Sequence, residues 1–441
     1  MKLAILGGGG FRVPLVFQAL VEGEHLVDDV WLYDVSESRL AVITAVLTQM
    51  TPQGSRIRVH STTSLDEAIE GSDFVFSAVR VGGLEARVAD ERAALSLGVL
   101  GQETTGPGGI AYALRTIPVA MRVADVVARL APLAYVINFT NPAGMITEAM
   151  QSILGNRVIG ICDTPSGLGR RIASMFGLPT DRLELDYVGL NHLGWLRGVR
   201  YLGNEILPDL FADDDKLGRL DETGLFGAEW LRSLGMIPNE YLHYYYNNRD
   251  AVAAISKGRT RGEYLHEQQH RFYERVAYDP SIALALWHST KADREATYME
   301  NERDPSAAPH DLVGGGYEKV ALDVMRAIAH DQRTTMILNV RNGSTLAGLP
   351  ASAVVEVPSL VDASGAHPLS TDEPGGSELG LMQQMKSVER LTIASVVSSD
   401  RSLAVKALGL HPLVGSVSTA RQLLAAYEAN TTSLFAVAGT H

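Results

Sequence analysis

The sequence predicts an α/β protein, an N-terminal doubly wound parallel sheet followed by an α+β domain, and three observations carry the prediction. The first 165 residues alternate short apolar or β-branched runs with helical patterns, the rhythm of successive βαβ units. From about residue 183 that rhythm gives way to a strand pair and then to acidic, helical segments. The length, 441 residues, is that of two or three domains, and the change of pattern divides the chain into 1–170 and 171–441.

Strands are predicted at 2–6, 29–34, 57–60, 73–79, 134–138 and 157–161. Between the second and third, SESRLAVITAVLTQM has a helical period and a Ser at its start. LELDYVGLNHLGWLRGVRYLG reads as two paired strands. Helical spacing returns over 262–276, with Arg261 just before it, and in GGYEKVALDVMRAIAH. The polar stretch from Lys291 to Gly316, with its Pro and three consecutive Gly, is predicted as a long mobile loop. Two strand-like runs, TMILNVRN and AVVEVPSL, precede two expected C-terminal helices, and no internal repeat or low-complexity tract interrupts them.

Composition narrows the function. Hydrophobic residues make up 46% and charged residues 20%, enough for a large core. With 38 Lys+Arg against 51 Asp+Glu the formal charge is -13, which argues against general affinity for nucleic acid or an acidic membrane. An anionic substrate must then meet local arginines or lysines. One cysteine among 441 residues excludes an intrachain disulfide and fits a reducing cytosol. No apolar run has signal-peptide or membrane-span length, so a soluble, cytoplasmic protein is expected.

The first predicted strand ends in Gly7, Gly8, Gly9 and Gly10, ahead of a helix carrying Pro14 in its first turn. Glycines let a backbone approach a pyrophosphate, and a helix N-terminus offers free amides and partial positive charge. Asp34, at the end of the second strand, lies where a carboxylate can accept from both ribose hydroxyls. The pattern reads as a Rossmann-type site for NAD rather than NADP. Its third glycine is missing, with Arg12 or Val13 in that place.

Candidate chemistry clusters at later strand ends. VINFTNPAG places Asn138 and Asn141 at the carboxyl edge of the sheet, where ligands bind, although Asn-Pro turns form for local reasons too. GICDTP puts Cys162 at the end of the next strand, and NHLGW puts His192 in a strand-like segment. A lone cysteine or histidine more often simply packs; together beside a dinucleotide site they suit an open metal site. PNEYLHYYYNN holds Tyr241, Tyr244, Tyr245 and Tyr246, any of which beside a metal has access to base chemistry. Arg87 and Arg261 are candidates to fork onto phosphate or sugar hydroxyls.

With VGGLEAR, LGQETTGPGG, RTIP, NFTNPAG, GLNHLGW and IPNEYLHYY, the chain resembles glycoside hydrolase family 4, and within it the 6-phospho-β-glucosidases, which use NAD in place of two-carboxylate hydrolysis. The resemblance runs from the N-terminal glycines to the C-terminal helices. It implies that Cys162 and His192 bind a divalent metal, usually manganese, that Tyr241 is the base, and that Arg87, Asn141 and Arg261 contact the phosphorylated sugar. Gly7 to Gly10 and Asp34 would hold NAD, and Glu103 would lie against cofactor and substrate. The fold implied is lactate/malate dehydrogenase-like, and the assembly a homodimer or homotetramer.

The mechanism implied is oxidation of sugar carbon 3 by NAD, Tyr241-catalysed deprotonation at carbon 2, elimination at carbon 1, water addition and re-reduction, with no net redox change. Thiolate and imidazole are softer than manganese prefers, and simple affinity order favours zinc. The glycine turn reads GGGGFRVP where relatives more often have GGGS and a Tyr-Thr-Pro-Glu run. Asp163 follows the cysteine where β-specific relatives usually have Asn; Asp is typical of 6-phospho-α-glucosidases, where it is the general acid. The remaining motifs are β-type, so Asp163 is either a substrate contact or an acid. An ordinary lactate/malate-type dehydrogenase and a catalytically silent NAD sensor are the competing readings.

Overall fold

The computed structural model describes residues 1–297, 316–430 and 434. The six predicted N-terminal strands form as β1 (Lys2–Leu6), β2 (Asp29–Tyr33), β3 (Arg58–Thr62), β4 (Phe74–Ser77), β5 (Tyr135–Asn138) and β6 (Val158–Gly160). They pair in parallel in the order β3-β2-β1-β4-β5-β6. The winding direction reverses between β1 and β4, so the segments leaving those strands diverge and open a crevice at their carboxyl ends. β1 is buried on both faces, as a central parallel strand must be: Leu3 and Ile5 join one core, Ala4 and Leu6 the other.

The second half builds on the same sheet. β7 (Leu183–Leu190), β8 (Leu193–Tyr201), β9 (Asn204–Glu205), β10 (Ile237–Pro238), β11 (Thr334–Arg341), β12 (Val354–Asp362) and β13 (Gly365–Pro368) are its strands. The order continues β6-β11-β12-β7-β8-β10, antiparallel throughout, giving thirteen strands in one sheet among the described residues. β11 covers what would otherwise be an open edge of β6.

Helices flank the sheet, and two expectations need correction. The stretch predicted as a loop from Lys291 begins as helix: Ala283–Ala296 continues through Lys291 and Arg294, its polar face giving little apolar period to read. Residues 298–315 of that prediction lie outside the described residues. Among the described residues the C-terminal part carries three helices, not two: Gly376–Ser398, Arg401–Leu410 and Val417–Ala429. The break between the first two is local, with Ser399 left-handed at φ +54° and Asp400 capping the next helix through the Ser402 amide. Among the described residues no helix is long and apolar enough to cross a membrane.

Candidate active site

The carboxyl ends of the parallel strands open into a cavity of about 1670 Å³. Its floor is the glycine turn. Gly7 has φ +81°, and a Cβ there would lie 2.6 Å from the Ala78 carbonyl oxygen; at Gly8 it would lie 2.8 Å from Leu32 Cα. These glycines are thus demanded by the close approach of neighbouring strands, whatever binds above them. Gly7 and Gly8 both donate to the Tyr33 carbonyl (2.9 and 2.7 Å) and Gly10 to that of Gly7 (2.8 Å). Asp34 accepts from the amides of Gly9 (3.1 Å) and Ser36 (3.0 Å), so it braces the turn while facing the cavity. Among the described residues, no backbone carbonyl takes the amides of Phe11 and Arg12, which precede the helix Val13–Glu22 and suit an anion.

The second half of the chain secures this turn from outside. Tyr273 donates to the Gly9 carbonyl (2.6 Å), Trp287 Nε1 to that of Phe11 (2.9 Å) and Tyr317 to that of Arg12 (3.1 Å). Each carbonyl is thereby satisfied without a ligand, and the turn is held in shape before anything binds.

Cys162 and His192 line the same cavity. His192 sits at the tip of the two-residue β7–β8 hairpin, whose flanking pair is Leu190 and Leu193. Its φ of +62° is left-handed backbone that a non-glycine residue seldom adopts. Thr104 Oγ1 lies 3.1 Å from its Nδ1 and 3.2 Å from Gln102 Oε1. Gln102 Oε1 also accepts the amides of Thr104 (2.7 Å) and Thr105 (2.5 Å). The Thr104 hydroxyl therefore donates to Gln102 and accepts from Nδ1–H, which leaves the His192 lone pair on Nε2. Burial, opposed by Glu103, brings the imidazole down to about 4, so it is neutral at pH 7 and competent as a ligand.

Cys162 is buried just past β6, and burial, then Glu356 and Asp163, push its thiol well above the ordinary value, with Thr164 opposing. A thiolate there needs a cation beside it. Among the described residues no group of three or more His, Cys, Asp or Glu side chains gathers to hold a metal. The soft two-donor set fits a divalent ion whose other positions go to water or substrate oxygens.

The tertiary structure separates the four tyrosines. Tyr241 stacks on His192, with ring centroids 3.8 Å apart and planes 9° from parallel, and Tyr244 also lines the cavity. Tyr245 is turned to a smaller space behind His192, and the Tyr246 hydroxyl accepts from Trp195 Nε1 (2.9 Å). Asn138 needs correction. It is fully buried, with its amide on Thr140, Ala143 and Thr147 and its oxygen on the Thr140 amide, so it has nothing to offer a ligand. Asn141, in a cis peptide bond with Pro142, instead lines the cavity with its buried Oδ1 lacking a hydrogen-bond partner.

The cationic wall is larger than the sequence indicated. Arg87 pairs with Glu91 (2.7 Å) and Glu103 (2.8 Å), and Arg80 with Glu103 (2.6 Å). Arg261, at the start of the helix Arg261–Tyr278, donates to the carbonyls of Thr297 and Arg294. Arg294, unpredicted, is pushed well below its ordinary pKa by burial and then by Arg12, Arg261 and Arg87, with Glu103 opposing. Three guanidiniums converging on a buried fourth in this way are poised for an anion. Arg294 escaped notice because nothing near it in sequence marks a site. Thr104 and Gln102 lie in the GQETTGPGG segment singled out above, but their link to His192 spans 88 residues from Thr104. Asp163 also lines the cavity, at the N-terminal cap position of the helix Thr164–Met175 without itself capping it.

Comparison with known proteins gives the chain a relationship. The family model for family 4 glycosyl hydrolases matches residues 2–178, and the model for the C-terminal domain of that family matches residues 187–414. A probable 6-phospho-beta-glucosidase of Bacillus subtilis is 30% identical over 96% of this chain and 95% of its own. A 6-phospho-alpha-glucosidase of Lacticaseibacillus paracasei is also 30% identical, over 96% and 95%. The structure of the Thermotoga maritima 6-phospho-beta glucosidase with manganese, NAD+ and glucose-6-phosphate superposes with a TM-score of 0.82 at 28% identity, covering 98% of both chains.

Proposed function

The chain belongs to the family 4 glycosyl hydrolases, and we propose that it hydrolyses 6-phospho-β-glucosides, phosphorylated disaccharides included. The observation that carries this reading is the stacking of Tyr241 on His192, with Cys162 and the guanidiniums in the same cavity. NAD and a divalent cation, manganese in the first instance, would when bound supply reversible hydride transfer and Lewis-acid polarisation of adjacent sugar oxygens. Gly7 to Gly10, Asp34 and the Phe11 and Arg12 amides would hold the dinucleotide, and Cys162 and His192 the metal.

The chain's own residues account for the remaining steps. Arg87, Arg261 and Asn141 bind the phosphorylated sugar; Arg294 and Arg12 add positive charge against the overall field of -13. Glu103, with an oxygen to each of Arg80 and Arg87, sets the direction of those two guanidiniums beside the substrate. Tyr241 removes the proton from carbon 2, with the Arg12 cation near it. Neutral His192 lays an uncharged face on that ring, and its Nε2 lone pair lies in its own ring plane. We retain the division into an NAD-binding part, 1–170, and a metal, substrate and oligomerisation part, 171–441, and place a homodimer or homotetramer in the cytoplasm.

The test is cleavage of nitrophenyl 6-phospho-β-glucoside, expected only with metal, NAD and a reductant present. Full activity in EDTA refutes the reading, and stoichiometric NADH release would mark an ordinary dehydrogenase. One observation favours a second reading, in which Asp163 protonates a leaving oxygen: Asp163 lines the cavity together with Cys162. Faster cleavage of the α-anomer would select the 6-phospho-α-glucosidase.

A further inference from the structure

A buried carboxylate lies behind this site. Glu356 of β12 is 1% exposed, and among the described residues no cationic side chain pairs with it. Burial pushes its carboxyl up to about 7 from an ordinary 4.5, with hydrogen bonds from Asn191, Asn339 and Tyr187 opposing; an ionised group at such depth costs several kcal/mol, so stability alone gives no reason for it. Its register neighbours explain how it fits. Asn339 of β11 and Gly189 of β7 stand opposite it, and Gly160 of β6 stands opposite Asn339. Both glycines are needed for this arrangement: a Cβ at Gly160 would lie 2.8 Å from Asn339 Cβ, and one at Gly189 would lie 2.3 Å from Gly194 Cα.

Glu356 accepts three hydrogen bonds. Oε1 takes Asn339 Nδ2 (2.8 Å) and Asn191 Nδ2 (3.3 Å), and Oε2 takes the Tyr187 hydroxyl (3.1 Å). The Asn191 arm ends one residue from His192. The Tyr187 arm continues through Asn239 Nδ2 (3.4 Å), and Asn239 Oδ1 accepts the Tyr241 amide (3.0 Å). The Asn339 arm leads across to Gly160, two residues before Cys162. The arms thus end at the Tyr241 backbone, at the residue before His192 and two residues before Cys162, and His192 stacks on Tyr241.

We propose that Glu356 is a positioning residue that fixes the His192 hairpin and the Tyr241 segment relative to Cys162 and supplies negative charge behind a divalent cation held there. The proposal rests on the metal and base assignments made above. Loss of an outer-shell partner of a metal ligand typically weakens metal binding by about 10–100-fold. Glu356→Gln keeps the shape and removes the charge. It is expected to weaken Mn2+ binding, read by electron paramagnetic resonance of free Mn2+, by about that factor, with NAD binding unchanged by fluorescence titration. Tyr187→Phe cuts only the Tyr241 arm, so kcat should fall while Mn2+ affinity stays near wild type.

Wild-type Mn2+ affinity in Glu356→Gln overturns the proposal. If that variant does not fold, Asn191→Ala takes its place, with Glu356 intact; weakened Mn2+ binding supports the proposal and wild-type affinity overturns it. Wild-type protein that binds no Mn2+, or Cys162→Ala protein that binds it as well as wild type, overturns instead the metal assignment beneath the proposal.

Discussion

Replacing Arg87 by Met keeps most of the side-chain volume and removes a buried cation shared by two carboxylates. Burial pushes Glu103 up, but Arg80 and then Arg87 bring it down to about 2 from an ordinary 4.5. At ~1.4 kcal/mol per decade of acidity that difference is ~3 kcal/mol, and with Arg80 retained the share of Arg87 is on the order of 1–2 kcal/mol. Glu91, 2% exposed, would keep only the Gly262 amide at 2.9 Å; stripping a buried carboxylate of its cation costs about 3 kcal/mol. Arg87→Met is therefore expected to lose roughly 4 kcal/mol at pH 7, read by urea denaturation with tryptophan fluorescence. The pH dependence carries a definite sign. A carboxyl held low in the folded state stabilises fully above its unfolded value of about 4.5 and loses that contribution as pH falls toward 2. The wild type thus loses more than the variant on acidification, and the Glu103 part of the gap should narrow by about 1 kcal/mol on going from pH 7 to pH 2. Equal midpoints at pH 7, or a gap unchanged at pH 2, refutes the reasoning.

Other perturbations separate chemistry from scaffold. Tyr241→Phe should abolish turnover by at least about 100-fold, the lower range for a lost general base, while equilibrium binding of NAD and Mn2+ stays within a factor of a few; wild-type turnover would refute the assignment. Asp163→Asn should slow substrates with poor leaving groups and spare nitrophenyl ones if the carboxyl is an acid, and uniform loss would mark a binding role. Gly8→Ala drives a Cβ onto the Leu32 backbone and should cost about 1–3 kcal/mol, visible in thermal unfolding even without NAD; full retention of stability would show that the glycine serves the cofactor alone.

The inner strands of the parallel half were legible because they are buried on both faces and read as near-continuous apolar runs; β1 and β5 need no distant information to be recognised. The Ala283–Ala296 helix was not, since STKADREA carries its charges toward the cavity and toward water with little apolar rhythm. Cys162, His192 and Tyr241 were singled out by residue type, by place in the chain and by resemblance, whereas Asn138 misled because a buried Asn and a ligand-binding Asn look alike in an Asn-Pro turn. Choosing among four adjacent tyrosines was beyond local sequence: it depends on which ring lies over an imidazole brought in by a hairpin some 49 residues earlier.

By itself the sequence determined the alternation that makes a doubly wound sheet, the glycines that let its first turn press against neighbouring strands, and the net acidity against which any phosphate must be captured. The tertiary structure decided everything that depends on distant side chains sharing one space. Tyr273, Trp287 and Tyr317 close over a turn more than 260 residues away, and Arg12, Arg87 and Arg261 come close enough to act against the charge of Arg294. The physical reason is range. Strand and turn preferences act between neighbours in the chain, whereas hydrogen bonding and the Coulomb field act between neighbours in space, and only folding makes Glu356 a neighbour of the residues around His192 and Tyr241.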